Sequence, residues 1–205
     1  KAVAQSEVEL AVVPVENSIE GSVTVTLDLL WQLDTLKIQL ALVLPIAHSL
    51  LSHAQSLEEI ETVYSHPQAL AQCQIWLAQF LPQVQLISAN STAEAIQHLE
   101  KETKSAAIAS QRAAQLYNSP ILATGINDYP DNCTRFWLLS RESQPTDRSS
   151  SLGSHSSLAF SLPKNVPGAL VKPLQVFAQR DINLSRIESR PTKRSLGEYL
   201  YFIDL

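Results

Sequence analysis

The stretch Thr62-Val63-Tyr64-Ser65-His66-Pro67 decides the fold, because it joins a strand pattern to the start of a helix. Its first three residues are β-branched and aromatic, which is typical of a strand. Ser65 stands in a capping position, and Pro67 lies near the first helical position, where its missing N–H costs little. The following apolar residues predict a helix over residues 69–81, which Pro82 ends.

The same alternation of strand and helix repeats along the chain. Strand patterns at 84–88, 105–109 and 121–123 alternate with helix patterns at 93–99 and 111–117. The stretch Ser91-Thr92-Ala93-Glu94 matches a capping box, in which a hydroxyl caps the helix and a carboxylate follows three residues on. We therefore predict an α/β fold with mainly parallel sheets and helices on both faces.

The chain before this region is less regular. Residues 8–13 form a short apolar run that predicts a buried strand, and residues 14–18 predict a turn that ends it. Residues 23–33 predict a helix and residues 38–46 a strand. Residues 48–53 resemble a loop.

A second, smaller domain follows a serine-rich linker. Residues 1–140 form the first predicted domain, 141–155 the linker and 156–205 the second domain. Within the second domain the pattern is strand (158–162), helix (169–179), strand (182–189) and strand (198–204). This is the first part of a ferredoxin-like βαββαβ unit.

Composition excludes several classes of function. The chain has 205 residues and a net charge of −5, which argues against nucleic acid as a main partner. The apolar run at 40–46 is too short to span a bilayer, so we expect no membrane partner. With 5 Gly and no glycine-rich phosphate loop, a dinucleotide site is disfavoured. Cys73 and Cys133 read as free thiols in a reducing compartment, which favours a cytoplasmic location.

Thr134 and Arg135 are the first candidates for chemistry. A threonine hydroxyl can donate a hydrogen bond to a leaving oxygen, and a guanidinium can bind a carboxylate with two parallel hydrogen bonds. They precede an apolar run at 137–139 that reads as a strand. On these residues alone, a surface pair entering a strand is the commoner arrangement.

Other polar residues follow predicted strands. Asn17 could hydrogen-bond a substrate hydroxyl or carboxylate, or simply build a turn. Ser65 precedes a helix whose N-terminus suits a carboxylate, and Gln72 lies one turn beyond Gln68; a cap and a solvated face are the alternative. Ser91 and Thr92 repeat this pattern, with capping the stronger interpretation. His48 and His53 show no metal-ligand spacing, so we expect no metal.

Taken together, several motifs resemble those of prephenate dehydratases. They are VPVENSIEGSV at 13–23, SHPQALAQC at 65–73, STAEA at 91–95, and Asn132 with Thr134-Arg135-Phe136. The second domain resembles the regulatory ACT domain that follows the catalytic part in this family, through PGAL at 167–170 and ESRP at 188–191. The motifs occur in the family's order over nearly the whole chain, which is far more specific than any one of them.

This resemblance implies a fold and a reaction. The catalytic part would resemble a periplasmic binding protein, with two α/β lobes around a cleft, one holding roughly residues 48–109 and the other the N-terminal segment with 117–140. Prephenate would lose carbon dioxide and water to give phenylpyruvate, without a cofactor. Thr134 would act on the departing hydroxyl. The residues implied to position substrate groups are Asn17, Ser65, Gln72 and Arg135, with Glu16, Ser18, Ser91, Thr92 and Phe136 as further substrate-binding residues.

The ACT resemblance implies regulation by L-phenylalanine at an interface within a homodimer or homotetramer. The implied phenylalanine-binding residues are Pro167, Gly168, Ala169, Leu170, Asn183, Leu184, Glu188, Ser189 and Arg190. The chain departs from the family pattern in two places. It lacks the family's first strand with its Gly-rich, Thr-bearing loop, and it lacks the last helix and strand of the ACT unit. We therefore expect a sequence truncated at both ends.

Two alternatives remain open at this point. The chain could be a non-enzymatic, two-lobed protein that binds a small molecule and carries an amino-acid sensing domain, because a fold does not determine a function. It could also act on arogenate, the amino analogue of prephenate.

Overall fold

The computed structural model describes residues 1–141 and 155–205, so most of the predicted linker (141–155) lies outside the described residues. In chain order the elements are β1 (Ala11–Asn17), β2 (Gly21–Ser22), α1 (Thr24–Gln32), β3 (Lys37–Pro45), β4 (Ser49–Ser52), a 3-10 turn (Leu57–Glu59), β5 (Thr62–Ser65), α2 (Pro67–Ala71), α3 (Gln74–Phe80), β6 (Gln85–Ser88), α4 (Thr92–His98), β7 (Ser105–Ala109), α5 (Gln111–Tyr117), β8 (Ile121–Thr124), β9 (Cys133–Ser140), β10 (Ser157–Ser161), α6 (Val171–Ala178), β11 (Arg186–Pro191) and β12 (Tyr199–Asp204).

These elements fall into two compact units. The central unit comprises residues 44–134, and the flanking unit comprises residues 1–43 and 135–205. None of the helices in the described ranges is both long enough and apolar enough to cross a membrane.

The central unit contains a five-stranded sheet in the order β6-β5-β7-β4-β8. β5 is parallel to β6 and β7, whereas β4 is antiparallel to both β7 and β8. The sheet is therefore mixed, and the prediction of mainly parallel sheets is wrong for it. The difference arises from β4, a segment whose sequence resembles a loop. β4 is buried along its whole length, and Leu50 and Leu51 are fully buried in two different core clusters.

The unit boundaries also differ from the predicted lobes. Residues 117–140 were expected to belong with the N-terminal segment. Residues 135–140 do so, because β9 lies beside β1, whereas β8 pairs with β4 and the central unit extends to residue 134. The expected lobe at 48–109 is thus part of a larger body.

Helices cover both faces of this sheet, as predicted. One core cluster contains Leu70 and Leu77 from α2 and α3 with Val63, and the other contains Ile96 from α4 with Tyr64. α4 begins where its predicted cap places it, and α5 has a cap of the same kind that was not predicted. Ser91 and Ser110 each accept a hydrogen bond from the backbone amide three residues on, at 3.1 Å.

The single helix predicted over residues 69–81 is broken into α2 and α3. The backbone amide of Asp128 donates to the carbonyl of Gln72 at 2.9 Å. The Asp128 carboxylate accepts from the amides of Ile75 and Trp76, at 3.1 Å each. In an unbroken helix the Trp76 amide would bond to the Gln72 carbonyl. Asp128 therefore takes both partners of that bond, ending α2 and capping α3.

The flanking unit contains a four-stranded sheet in the order β2-β1-β9-β3. The turn predicted at residues 14–18 is wrong, because β1 continues through Pro14 to Asn17. β9 begins at Cys133, four residues before the predicted apolar run, so Thr134 and Arg135 lie inside a strand rather than at its mouth.

A three-stranded sheet in the order β10-β12-β11 completes the flanking unit, with both pairings antiparallel. Together with α6 it gives the predicted strand-helix-strand-strand order. Leu200 and Phe202 of β12 are buried in a core cluster with residues of α1, β1 and β9, namely Val15, Leu27, Trp137 and Leu139. The three-stranded sheet therefore packs on the N-terminal part of the chain.

Ion pairs lie beside this apolar contact. Arg190 donates from Nε and from its second terminal nitrogen to the two oxygens of Asp28, at 3.0 and 3.1 Å. Lys193 reaches the same carboxylate at 2.6 Å. The Arg190 hydrogen bonds hold the pKa of Asp28 below its ordinary value of 3.8, with a further contribution from Lys193 and against an opposing effect of burial.

We predict that Asp128→Ala lowers the free energy of unfolding by about 2 kcal/mol, because it removes the cap of α3 and leaves backbone groups without their partner. Urea denaturation measures the change. Asp131→Ala is the matched control, since Asp131 is an exposed acid in the same loop and should change stability by less than about 0.5 kcal/mol. Equal effects in the two variants would contradict the capping role.

We predict that Asp28→Asn destabilises the chain by about 2 kcal/mol at pH 7 through loss of the charged pair. Because the folded pKa of Asp28 is lowered, its contribution is fully present above the unfolded pKa near 3.8 and disappears as pH falls through the folded pKa. The difference between parent and variant should therefore shrink below about pH 4 in urea titrations at several pH values. Asp34→Asn, at an exposed position of the same unit, is the control and should change the free energy of unfolding by less than about 0.5 kcal/mol at pH 7.

Candidate functional site

A buried hydrogen-bonded cluster lies at the junction of α2, the loop before β4 and the loop before β9. Gln72 and Asn132 are 5% and 1% exposed. Gln72 Oε1 accepts from Asn132 Nδ2 at 3.1 Å and lies 3.0 Å from His48 Nε2. An amide oxygen is only an acceptor, so His48 carries its proton on Nε2 in this contact. Two donors thus fix the orientation of the Gln72 side chain.

The loop at residues 125–132 positions this cluster. Asn127 Oδ1 accepts from the His48 amide at 2.6 Å, and Asn127 Nδ2 donates to the Ile46 carbonyl at 3.0 Å. The carbonyl of Asn132 accepts from the Ile46 amide at 2.8 Å. The loop therefore holds the chain before β4 at two points.

Sequence reasoning missed His48, Asn127 and Asp128 as parts of the site. The available signal was the run Gly-Ile-Asn-Asp-Tyr-Pro-Asp-Asn at 125–132. Asn and Asp side chains can replace backbone partners as well as form turns, and here they do so across the unit.

Ser65 lies at the end of β5 and is fully buried. Its hydroxyl donates to the Ile108 carbonyl at 2.8 Å, across to β7. A serine hydroxyl has one proton, so Ser65 can offer a ligand only its acceptor lone pairs in this arrangement. His66 is the cap of α2 instead, accepting from the Gln68 amide at Nδ1.

Ser91 and Thr92 begin α4. Ser91 Oγ accepts from the Glu94 amide, and Glu94 in turn accepts from the Asn90 amide at 2.8 Å. The capping box is confirmed in form, with its return bond on Asn90 rather than on Ser91. The capping interpretation therefore accounts for the Ser91 hydroxyl.

Thr134 is the second residue of β9 and the last of the central unit, and it is half-buried. Only one residue separates it from Asn132, so the Asn132–Gln72 hydrogen bond fixes the backbone where Thr134 enters the strand. Because side chains alternate along a strand, Thr134 and Phe136 share one face and Arg135 points to the other. The hydroxyl and the guanidinium therefore lie on opposite faces of β9.

In the flanking unit, Asn17 ends β1 and is 8% exposed. Its Oδ1 accepts from the amides of Ile19 and Glu20, at 3.0 Å each, and so closes the turn that contains exposed Ser18. Glu16 is half-buried and lies 3.6 Å from Arg135 in an ion pair. The turn-building role considered for Asn17 is thus present.

The proposed effector residues divide into two groups. Glu188 and Arg190 lie on the face of β11 toward the N-terminal part of the chain, where Glu188 accepts from Ser22 Oγ at 3.2 Å and Arg190 binds Asp28. Ser189 points to the other face of β11. The remaining members are residues 167–170, which precede α6, and Asn183 and Leu184, which follow it. Gly168 has a φ of +77°.

Two further observations limit the chemistry. Burial raises the pKa of the Cys73 thiol to about 12, and the charge of Asp128 adds to this, so Cys73 is protonated and unreactive near neutral pH. Within the described residues, no group of three or more His, Cys, Asp or Glu side chains could hold a metal ion.

Comparison with known proteins agrees with the resemblance. A family model for prephenate dehydratase matches residues 1–144, and one for the ACT domain matches residues 156–205. A prephenate dehydratase from Lactococcus lactis subsp. cremoris is 41% identical over 203 residues, which is 98% of this chain and 72% of the relative.

Two solved structures share the fold of this chain. The prephenate dehydratase of Arthrobacter aurescens in complex with L-Phe has a TM-score of 0.85 and 36% identity, and the match covers 99% of this chain and 67% of that one. GqqA, described as a novel type of quorum quenching acylase, has a TM-score of 0.82 and 29% identity, with 99% and 73% covered. The family model alone spans well over half of the chain. The chain therefore belongs to the prephenate dehydratase family and carries an ACT domain after its dehydratase segment.

Proposed function

We propose that the chain converts prephenate to phenylpyruvate, with loss of carbon dioxide and water, and that L-phenylalanine regulates this reaction through the ACT domain. The observation that carries the proposal is the placement of Thr134. Its backbone is fixed by the buried Asn132–Gln72 hydrogen bond two residues before it. A relative with the same fold, from Arthrobacter aurescens, was solved with L-Phe bound.

The reaction needs little covalent help from the protein. Cleavage of the bond to the carboxylate on the ring releases carbon dioxide, its electron pair enters the ring, and the hydroxyl on the opposite carbon leaves with a proton as water. Formation of the aromatic ring drives the step. The protein has to hold a dianion and stabilise the departing oxygen.

Thr134 is assigned to the departing hydroxyl. A threonine hydroxyl is a poor acid at neutral pH, so it orients or relays a proton and donates a hydrogen bond to the oxygen as the carbon–oxygen bond breaks. Such a donor is effective because it is already in place when negative charge develops.

Gln72 is assigned to a substrate oxygen. His48 and Asn132 both bind its Oε1, which turns the amide nitrogen away from these two partners. An amide N–H in a buried setting can donate to a carboxylate or hydroxyl. Ser65 can contribute as an acceptor only, whereas Asn17, Glu16, Ser18, Ser91, Thr92 and Phe136 remain proposed substrate-binding residues on the strength of the family motifs.

A homodimer or homotetramer formed through the ACT domains is part of the proposal. β11 is an edge strand of the three-stranded sheet, and an edge strand has backbone groups that can pair with a second copy. A cytoplasmic location is also proposed, supported by the two free cysteines.

The first experiment follows the absorbance of phenylpyruvate formed from prephenate, with and without L-phenylalanine. Turnover that changes with phenylalanine supports the enzyme and its regulation together. Faster turnover of arogenate than of prephenate would make arogenate the preferred substrate. Prephenate binding without turnover would favour the receptor alternative. Acylase activity without dehydratase activity would indicate a function like that of GqqA, although the chain is less identical to GqqA than to the dehydratases described above.

We predict that Thr134→Val lowers kcat about 100-fold, since loss of one donor to a developing charge typically has an effect of this size. The KM for prephenate should change little, because valine keeps the shape of the side chain. Thr134→Ser is the matched control and should keep most of the turnover. A parallel loss of turnover and of prephenate affinity in the valine variant would contradict the assignment.

We predict that Gly168→Val weakens the response to phenylalanine by about fivefold or more, a change within the range of allosteric coupling. Gly168 has a positive φ that β-branched residues adopt only with strain, and it stands in the proposed effector loop. The response is the ratio of turnover without and with phenylalanine.

Gly197→Val provides the matched control, because Gly197 also has a positive φ, of 86°, and lies in the same domain outside the proposed effector site. If both variants lose the response equally, the effect reports strain in the domain rather than the position of the effector.

A further inference from the structure

Arg135 lies between two carboxylates from distant parts of the flanking unit. Its terminal nitrogen is 3.6 Å from Glu16 Oε2 and 3.4 Å from Asp204 Oδ2. Glu16 belongs to β1 and immediately precedes Asn17, whereas Asp204 belongs to β12 of the ACT domain. Arg135 itself follows Thr134 in β9. One guanidinium therefore connects the ACT sheet with two strands that carry dehydratase motifs, β1 and β9.

The Asp204 carboxylate is firmly held. Its side chain is 7% exposed, and it accepts from Arg186 Nε at 2.7 Å and from Ser157 Oγ at 2.6 Å. Arg186 is itself 8% exposed, and its guanidinium lies 5.9 Å from the ring centroid of Trp137 in β9. Arg135 therefore contacts an acceptor that moves with the ACT sheet, because Asp204 of β12 is held by side chains of β10 and β11.

The direction of Arg135 separates it from the reacting groups. Along β9, Arg135 shares its face with Trp137 and Leu139, which pack with Phe202 of the ACT sheet. Thr134 points to the opposite face. The guanidinium is therefore directed toward the ACT sheet, away from the side on which the Thr134 hydroxyl lies.

We infer that Arg135 is a positioning residue that couples the ACT domain to the Thr134 strand through Asp204, and that it is not the ligand of a substrate carboxylate. The inference rests on the proposed function, because it concerns how phenylalanine alters that reaction. A shift of β12 that weakens the Asp204 contact leaves Arg135 with Glu16 alone. The guanidinium then moves toward β1, and the backbone of β9 beside Thr134 moves with it.

The test uses Arg135→Gln, Asp204→Asn and the double variant in the full chain, with prephenate as substrate and L-phenylalanine as effector. Each single variant should reduce the response to phenylalanine about fivefold or more, and the double variant should be no worse than either, because both act through one contact. The KM for prephenate should stay within about twofold of the parent, since no substrate contact is lost.

Lys193→Gln is the matched control. It removes an ion pair between the turn after β11 and Asp28 of α1, and it leaves β9 and the Arg190–Asp28 contact in place. It should retain most of the phenylalanine response. An equal loss of response in Lys193→Gln would mean that loosening the contact anywhere is sufficient, and it would overturn the specific role of Arg135.

Other outcomes are equally decisive. A tenfold or greater rise in KM with the phenylalanine response intact in Arg135→Gln would make Arg135 a substrate ligand and overturn the inference. Asp204→Asn leaves buried Arg186 without its charged partner, so the folding of this variant is checked by thermal unfolding. If Asp204→Asn fails to fold, Arg135→Gln tests the inference by itself, because the Arg135 side chain is 37% exposed. A parent without prephenate turnover would overturn the proposed function and this inference together, whereas an active, responsive parent with unaltered variants would overturn the inference alone.

Discussion

The insertion of Asp128 between α2 and α3 is the interaction on which the rest of the central unit depends. Hydrogen bonds between Asp128 and three backbone groups end a helix, begin the next and tie both to the loop before β9. The break leaves Gln72 at the end of α2, where its amide can meet Asn132 and His48. A continuous helix would carry Gln72 in its middle, with its carbonyl used by Trp76. The site geometry is therefore a direct consequence of an interrupted helix.

In the flanking unit the comparable constraint is electrostatic. Five charged side chains from four strands (Glu16, Arg135, Arg186, Glu188 and Asp204) lie within one connected set of ion pairs and hydrogen bonds that also includes Ser22. Two of them are almost fully buried, and buried charges are stable only when each has a partner. This requirement, together with the apolar contact around Phe202, fixes the ACT sheet to the dehydratase segment without a covalent link at that point.

Whether an element could be predicted depends on how far along the chain the residues that determine it lie from the element itself. α4 and α5 were predicted closely because the signals that define them lie within or next to each helix, as the Ser91 cap does for α4. β4 was missed because four residues carry too little periodicity, and its burial comes from β7 and β8. The helix break was missed because its cause lies 52 and 53 residues along the chain. The motif residues were found by family resemblance, but the face of Arg135 depends on how β9 lies between β1 and β3, which are distant in sequence.

The remote cap on α3 also has a consequence for the order in which the chain folds. α4 and α5 carry their own capping hydroxyls and can form as soon as their segments collapse. The first turn of α3 lacks that independence, since the carboxylate it needs arrives only after a loop of more than 50 residues has closed. Closing such a loop is entropically unfavourable until β4 and β7 have paired. The start of α3 is thus among the last parts of the central unit to form and, by the same reasoning, among the first to exchange its amide hydrogens.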